Sequence, residues 1–358
     1  LTKLRFYFIL FDSNGNFGIP SAKKNRMSDR KKRIILGMPR TFSIYKVLIS
    51  RLDQLGFEVI DISYDDDVFK YRNLWDRLVN LYRKTVLKDK GYKNRLKFKA
   101  LGENVMRCLQ TMKHPTDYCL LIRPDIYPEE IIDQIKSKTN KLIAYQWDGI
   151  DRYPAVKRLV SKFDRFFVFD HKDANREDDR FIPTTNFYFG HFNRREVIPK
   201  KSSFFFVGTF MKVRWSQTKD AVDLIVQNNG TPNFYLYTGE RDLPGEYQLA
   251  GITYISSPLA YEENIHLALQ NEILVDFLVD AHSGLSFRVF EAIGYSRKLI
   301  TNNNEVKSYD FYHPNNIYVL DNDERTLGEF LNAPYAEIHP EIVDRYNFDN
   351  WIFRILEN

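Results

Sequence analysis

Three observations predict two doubly wound α/β domains. Short apolar runs alternate with segments of helical period, the rhythm occurs twice, and the two series are separated by a polar stretch at residues 190–203. With 358 residues and 44% hydrophobic content, the chain is long enough for two cores of ordinary domain size.

The first series opens with Arg33-Ile-Ile-Leu-Gly-Met-Pro-Arg40, an apolar run closed by Gly and Pro. A helical pattern at 43–55 stops at Gly56, and 57–61 resumes as a strand, which makes one βαβ unit. Further on, strands are predicted at 117–122, 141–146 and 165–169, with helices at 128–138 and 153–163 between them. The second series reads as strands at 203–209, 233–237, 252–255, 273–278, 298–301 and 317–320. Helices are expected at 218–228, 261–270 and 286–293.

The domains are accordingly residues 31–192 and 203–336, with a closing helical stretch at 337–358. Residues 1–30 stand outside the predicted core, and Met27 offers a start. Their apolar run, 6–11, is far shorter than the roughly 20 residues that span a bilayer. Cys108 and Cys119 are too few for a disulfide framework and fit a reducing compartment, so a cytoplasmic protein is expected.

Charge is unevenly spread. Residues 1–120 carry 25 Lys or Arg against 12 Asp or Glu, whereas the remainder carries 27 against 35. Much of the excess lies in a helical insertion at 68–113, with 13 basic and three acidic residues and with Phe69, Tyr71, Trp75, Tyr82, Tyr92 and Phe98 interleaved. That mixture suits a surface facing anionic lipid head groups or a phosphate-bearing acceptor. It equally suits a solvated helical hairpin whose aromatics pack inward. Nucleic acid is not the expected partner, because no recognised nucleic-acid motif accompanies the charge.

Several chemistries are excluded. The first strand runs into Gly-Met-Pro-Arg, not the Gly-x-Gly-x-x-Gly turn of dinucleotide oxidoreductases, and no phosphate-binding loop ending in Gly-Lys-Ser/Thr exists. Asp65-Asp-Asp67 falls in a predicted loop before the insertion, where a solvated turn accounts for it.

Two facing α/β domains place ligands at the carboxyl ends of their strands. At one such end, Asp280-Ala-His-Ser-Gly-Leu-Ser-Phe-Arg-Val-Phe-Glu-Ala-Ile-Gly leads a loop into a helix. The first turn of that helix offers backbone N–H groups to an anion, and Arg288 and Glu291 fall three apart on one face. A plain ion pair on an amphipathic helix would have the same spacing. After the 203–209 strand, Val207-Gly-Thr-Phe-Met-Lys-Val-Arg214 sets Gly208 and Thr209 beside Lys212 and Arg214, which suits neutralising a departing diphosphate and equally suits an ordinary strand-to-helix turn with solvent-facing bases. On the first domain, Asp148 follows the 141–146 strand and is placed either to deprotonate an acceptor hydroxyl or to cap the next helix. Asp125 is the reserve base, and His191 a weaker one.

Glu291-Ala-Ile-Gly294 followed by Lys298-Leu-Ile-Thr301 resembles the donor-site helix of glycosyltransferases with the two-Rossmann-domain (GT-B) fold. The resemblance extends over most of 33–358, through Trp147-Asp148, Phe163-Asp164 and Phe169-Asp170, and it covers the 207–214 loop. It implies that Glu291 binds the donor ribose hydroxyls and that the closing helical stretch, 337–358, crosses back onto the first domain. The Ser-Phe-Arg-x-Phe-Glu spelling is similar to bacterial surface-polysaccharide and spore-coat transferases, which implies that Arg288 lies near the donor diphosphate.

Donor binding is thus expected at Gly208, Thr209, Lys212, Arg214, His282, Ser283, Gly284, Ser286, Arg288 and Glu291, against an open gap between two Rossmann-like domains. Retaining members often carry a glutamate eight residues before Glu291, where Ser283 stands here, and this departure points to inversion. No cofactor and no metal is expected. The implied partners are a nucleotide-sugar donor and a glycan or lipid-linked glycan acceptor, lipopolysaccharide or capsule, at the inner face of the cytoplasmic membrane. A non-catalytic carbohydrate- or nucleotide-binding protein of the same fold, and a transferase of phosphate-linked polymer units, are the alternatives.

Overall fold

A computed structural model of the chain describes residues 30–357, except 66–68, 70, 72, 90, 175–179, 193–196, 240–242, 279–282 and 321. The sequence expectations on residues 1–29 and on His282 lie outside the described residues, as does most of Asp65-Asp-Asp67.

The first sheet begins with β1 (Arg33–Gly37), whose Ile34, Ile35 and Leu36 are fully buried because both faces of a central parallel strand are covered. Helix α1 (Ile44–Gln54) turns Ile44, Val47, Leu48 and Leu52 inward at helical spacing. After β2 (Glu58–Asp61) the insertion forms α2 (Leu74–Thr85), α3 (Tyr92–Leu101) and α4 (Glu103–Thr111). Among the described residues these are three helices and not a hairpin, since Gly102 both closes α3 and opens α4. The remaining elements are β3 (Tyr118–Ile122), α5 (Glu129–Lys136), β4 (Leu142–Gln146), β5 (Arg165–Val168), the short α6 (His171–Ala174) and β6 (Phe181–Pro183).

The helix expected at 153–163 is instead two 3₁₀ turns, Pro154–Arg158 and Val160–Lys162. Val156 and Leu159 both enter the core there, and a spacing of three residues is the one that a 3₁₀ turn eclipses. The insertion's aromatics divide between the two readings of them. Phe98 is buried edge-on against Tyr64, while Trp75 and Tyr82 are exposed.

The second sheet is built from β7 (Lys200–Thr209), α7 (Trp215–Gln227), β8 (Thr231–Tyr237), β9 (Ile252–Ile255), α8 (Tyr261–Leu269) and β10 (Asn271–Asp276). Then come α9 (Phe287–Gly294), β11 (Lys298–Thr301), β12 (Ile317–Val319) and α10 (Leu327–Asn332), followed by α11 (Pro340–Arg345) and α12 (Phe348–Glu357).

Among the described residues each sheet has six strands, ordered β2-β1-β3-β4-β5-β6 and β12-β11-β10-β7-β8-β9, and all their paired strands run parallel. The strand order reverses direction between β1 and β3 in the first sheet and between β7 and β10 in the second. Such switch points leave a crevice at the carboxyl ends of the strands, where doubly wound folds bind ligands.

One hydrophobic cluster runs through both sheets, from Ile34 and Tyr145 to Phe205 and Leu274, and includes Trp351 of α12. Helix α12 lies on the first sheet's side of the molecule. Its Trp351 meets Tyr145 edge-on and donates Nε1–H to the Thr185 carbonyl at 2.9 Å, and Asp349 pairs with Arg51 of α1. Two further cores fill the outer faces of the sheets, one under α3, α4 and α5 and one under α7 and α10.

Candidate active site

The second sheet's switch point carries both stretches singled out for donor binding. At the end of β7, Gly208, Thr209 and Arg214 line a small pocket with Phe210, Trp215 and Phe277. Lys212 is exposed, its ammonium 6.0 Å from the centre of the Tyr247 ring. At the end of the neighbouring β10, the chain passes through Ser283–Ser286 into α9.

That loop holds an anion that belongs to the protein itself. Asp170, which follows β5 of the first sheet, accepts the Ser283 backbone N–H at 2.7 Å and the Ser283 hydroxyl at 2.8 Å. Burial works to raise the Asp170 carboxyl, but donors from Ser283, Lys172 and Gly284 outweigh it and hold the group below its ordinary range. Gly284 permits the approach, because a Cβ there would lie 2.6 Å from the Phe169 ring and 3.0 Å from the Phe169 carbonyl oxygen. The joint is reinforced by Asn186, which donates to the Leu285 carbonyl at 2.9 Å, and by Trp147, edge-on to Phe287. Ser286, at the N-cap of α9, spends its hydroxyl on Asp276 at 2.7 Å and leaves the first turn without a side-chain cap.

Arg288 and Glu291 do not face an open gap. Arg288 is 9% exposed and Glu291 1%, and the space expected beside them is filled by their own neighbours. Tyr261 of α8 donates to Glu291 at 2.8 Å, Arg288 donates to Asn264 at 2.8 Å, and the guanidinium lies 5.0 Å from the centre of the Phe205 ring. The physical reason is that α9 is buried all round: residues 288–294 are all inside, and the polar side that carries Arg288 and Glu291 is closed over by α8 and by Phe205 of β7. Arg288 and Glu291 approach to 2.9 Å as a buried ion pair, not the exposed pair that spacing alone suggests. Their facing atoms, Arg288 Nη1 and Glu291 Oε2, are misaligned for a hydrogen bond and keep unused bonding capacity. Lys298, from the same motif, is structural. Its ammonium caps the carbonyls of Phe330 and Ala333 at the end of α10.

On the first sheet, Asp148 lies just beyond β4 and one residue from the Trp147–Phe287 contact. It does not cap the helix that follows, because that 3₁₀ turn begins at Pro154 with Tyr153 at its N-cap. Its carboxylate meets Arg152 at 3.2 Å and Arg123 at 3.6 Å. Asp125 is buried, both oxygens held by Arg123 at 2.7 and 2.8 Å, so it presents no free base. His191 is exposed, with its ring centre 4.2 Å from that of Phe192. Its ring is nonetheless partly desolvated, and that first, with the charge of Arg51 second, pushes it below its ordinary value.

The structure thus brings Ser283, Gly284 and Ser286 to the joint between the sheets, with Asp148 beside it, Gly208 and Thr209 at the end of the adjacent strand β7, and Arg214 in the turn after that strand. Asp170, Tyr261 and Asn303 were not singled out from sequence as site residues. Asp170 carried a usable signal, since it ends an apolar strand just as Asp148 does. Tyr261 and Asn303 carried none, because their roles arise from partners remote in sequence. Asn303 donates to the Ser283 carbonyl at 3.0 Å. Among the described residues, no group of three or more His, Cys, Asp or Glu is arranged to hold a metal ion.

No protein-family model matches the chain, and no curated protein matches it by sequence. Solved structures do. An alpha-glucosyltransferase (AGT) in complex with UDP aligns at 11% identity with a TM-score of 0.51, covering 91% of this chain and 100% of that one. The lipopolysaccharide outer core galactosyltransferase WaaB aligns at 13% and 0.50 over 90% and 99% of the two chains. A glycosyltransferase from Rickettsia africae ESF-5 aligns at 11% and 0.50 over 92% and 100%. At these identities the likeness is one of fold, and the fold is the pair of Rossmann-like domains of GT-B glycosyltransferases.

Proposed function

We propose that this chain is a metal-independent glycosyltransferase that moves a sugar from a nucleotide-sugar donor to a glycan or lipid-linked glycan acceptor, with inversion at the transferred carbon. The acceptor class is a bacterial surface polysaccharide, lipopolysaccharide or capsule, met at the inner face of the cytoplasmic membrane. The observation that carries this reading is the anion cradle before α9, where the N–H and O–H of Ser283 already hold a carboxylate at the switch point of the second sheet. A donor diphosphate has the same requirement: convergent donors at a helix N-terminus.

In this reading the diphosphate takes the place of the Asp170 carboxylate, and Lys212 and Arg214 from the β7 loop neutralise the charge that builds on the departing nucleoside diphosphate. Glu291 receives the ribose hydroxyls once Tyr261 releases it, and Arg288, with unused bonding capacity at Nη1, turns to the diphosphate. The acceptor hydroxyl attacks the anomeric carbon and gives its proton to Asp148, while the carbon–oxygen bond to phosphate breaks with its electron pair on the leaving group. Release by the half-exposed Arg152 frees one oxygen of Asp148, while Arg123 stays 3.6 Å from the other. A similar fold carrying UDP supports a nucleotide donor.

The test is thermal stabilisation by uridine, guanosine, thymidine, cytidine and adenosine diphosphates, each with and without magnesium. At least one raises Tm without metal, and at a hundred times its Kd the gain is about 2.7 kcal/mol. Glu291→Gln, which keeps the bond to Tyr261, removes most of that gain. If no nucleotide stabilises the chain, the donor site is wrong. A second reading, a catalytically silent nucleotide- or sugar-binding protein, draws on the two arginines that occupy Asp148. Nucleotide binding with no release of nucleotide from donors across a broad acceptor panel would establish it instead.

A further inference from the structure

Helix α2 is built inside out. At 100° per residue, Leu74, Trp75, Leu78, Leu81 and Tyr82 share one arc, and they are 77%, 70%, 56%, 57% and 55% exposed. The exposed apolar surface continues through Val86 and Leu87. None of the helix's residues is buried.

It is the polar arc that faces the protein. Asn80 donates to the Tyr71 hydroxyl at 3.0 Å, and Arg83 lies 4.6 Å from the centre of the Tyr92 ring while pairing with Asp89, which also pairs with Arg95. A helix held only by core packing would be turned the other way round, with its apolar stripe inward. These polar anchors fix the stripe outward.

We propose that this face docks on an anionic phospholipid surface. Charge complementarity selects that occupant. Arg77 and Lys84 flank the stripe and are exposed, as is Lys88 just beyond it, and the insertion that carries α2 holds 13 basic against three acidic residues. An apolar stripe edged by cations, with Trp75 and Tyr82 among its members, matches the layering of acyl chain, headgroup and phosphate at a membrane interface. A second copy of the chain would bring like charges together at the same stripe, and a nucleic acid would have no use for the leucines. No described helix is long and apolar enough to cross a membrane, and this one lies along the surface. The inference rests on the membrane-side location proposed above and names the surface that achieves it.

The full chain is tested by co-sedimentation with vesicles, without donor or acceptor, so that docking and transfer fail separately. Phosphatidylcholine vesicles containing about one third phosphatidylglycerol should bind the chain at least tenfold more tightly than phosphatidylcholine alone. The exposed double variant Leu78→Glu/Leu81→Glu should lose at least tenfold with Tm unchanged. Arg77→Glu/Lys84→Glu should lose about fivefold or more for each charge removed. No binding to anionic vesicles, or equal binding to neutral ones, overturns the proposal. So does a wild-type dimer in sedimentation velocity that Leu78→Glu/Leu81→Glu dissolves, because the stripe would then belong to a second copy.

Discussion

Arg123 shows how much of the first sheet's carboxyl edge is organised by one side chain. Its backbone adopts φ 60°, unusual for a residue with a Cβ, and the conformation swings its guanidinium back over the Tyr153 ring at 3.6 Å. There it holds Asp125 with two bonds and reaches Asp148. Burial works to lower its pKa, but the hydrogen bonds and charge of Asp125 prevail and raise it. Removing one member of a buried pair strands the other, which costs about 3 kcal/mol or more. Arg123→Ala should therefore lose about that much stability in urea unfolding, and Asp125→Asn/Arg123→Ala should recover part of it by removing the stranded charge. Asp148 was legible from its place at the end of an apolar strand. Its partner Arg152 is local, four residues on, but Arg123 was not legible, because it follows another strand and only sheet pairing brings it beside Asp148.

At the scale of the element, α9 is the helix whose spelling carries most information. Its Glu-Ala-Ile-Gly ending reads as a helix stop, yet Gly294 has a second reason to be glycine. A Cβ at that position would lie 2.2 Å from the Tyr188 ring, which crosses over from the segment after β6. Gly294→Ala should thus destabilise the protein by about 1–3 kcal/mol in thermal unfolding, the usual cost of overpacking. An unchanged Tm would mean that the ring gives way freely. The helix itself was predictable from its period, and so was the anion-receptive loop before it. That Arg288 and Glu291 turn inward was not, since their spacing is the same for a solvent-facing pair and for one closed in by Tyr261 and Phe205.

For the whole molecule, the contact between Asp170 and Ser283 ties the carboxyl ends of the two sheets together. The Asp170 carboxyl is held below its ordinary 3.8 in the folded chain, so its contribution is fully present above that value and is lost as pH falls through the lower folded value. Asp170→Asn should accordingly be less stable than the wild type by about 1–2 kcal/mol near neutrality. The gap should hold steady down to about pH 5 and close below 3.8. A gap independent of pH would show that the carboxylate charge plays no part in the joint.

Local patterning by itself determined that this chain is α/β with two doubly wound sheets, because strand and helix periods of 2.0 and 3.6 residues are written into adjacent positions. It also placed the ends of those strands, and with them the loops where ligands of such folds gather. Only the tertiary structure decided which side chains meet: that Asp170 fills the cradle before α9, that Trp351 of α12 settles on Tyr145 of β4, and that α2 turns its apolar stripe outward. Those outcomes depend on side chains far apart in the chain, whose contacts arise from packing and loop closure and leave no periodic trace in the sequence.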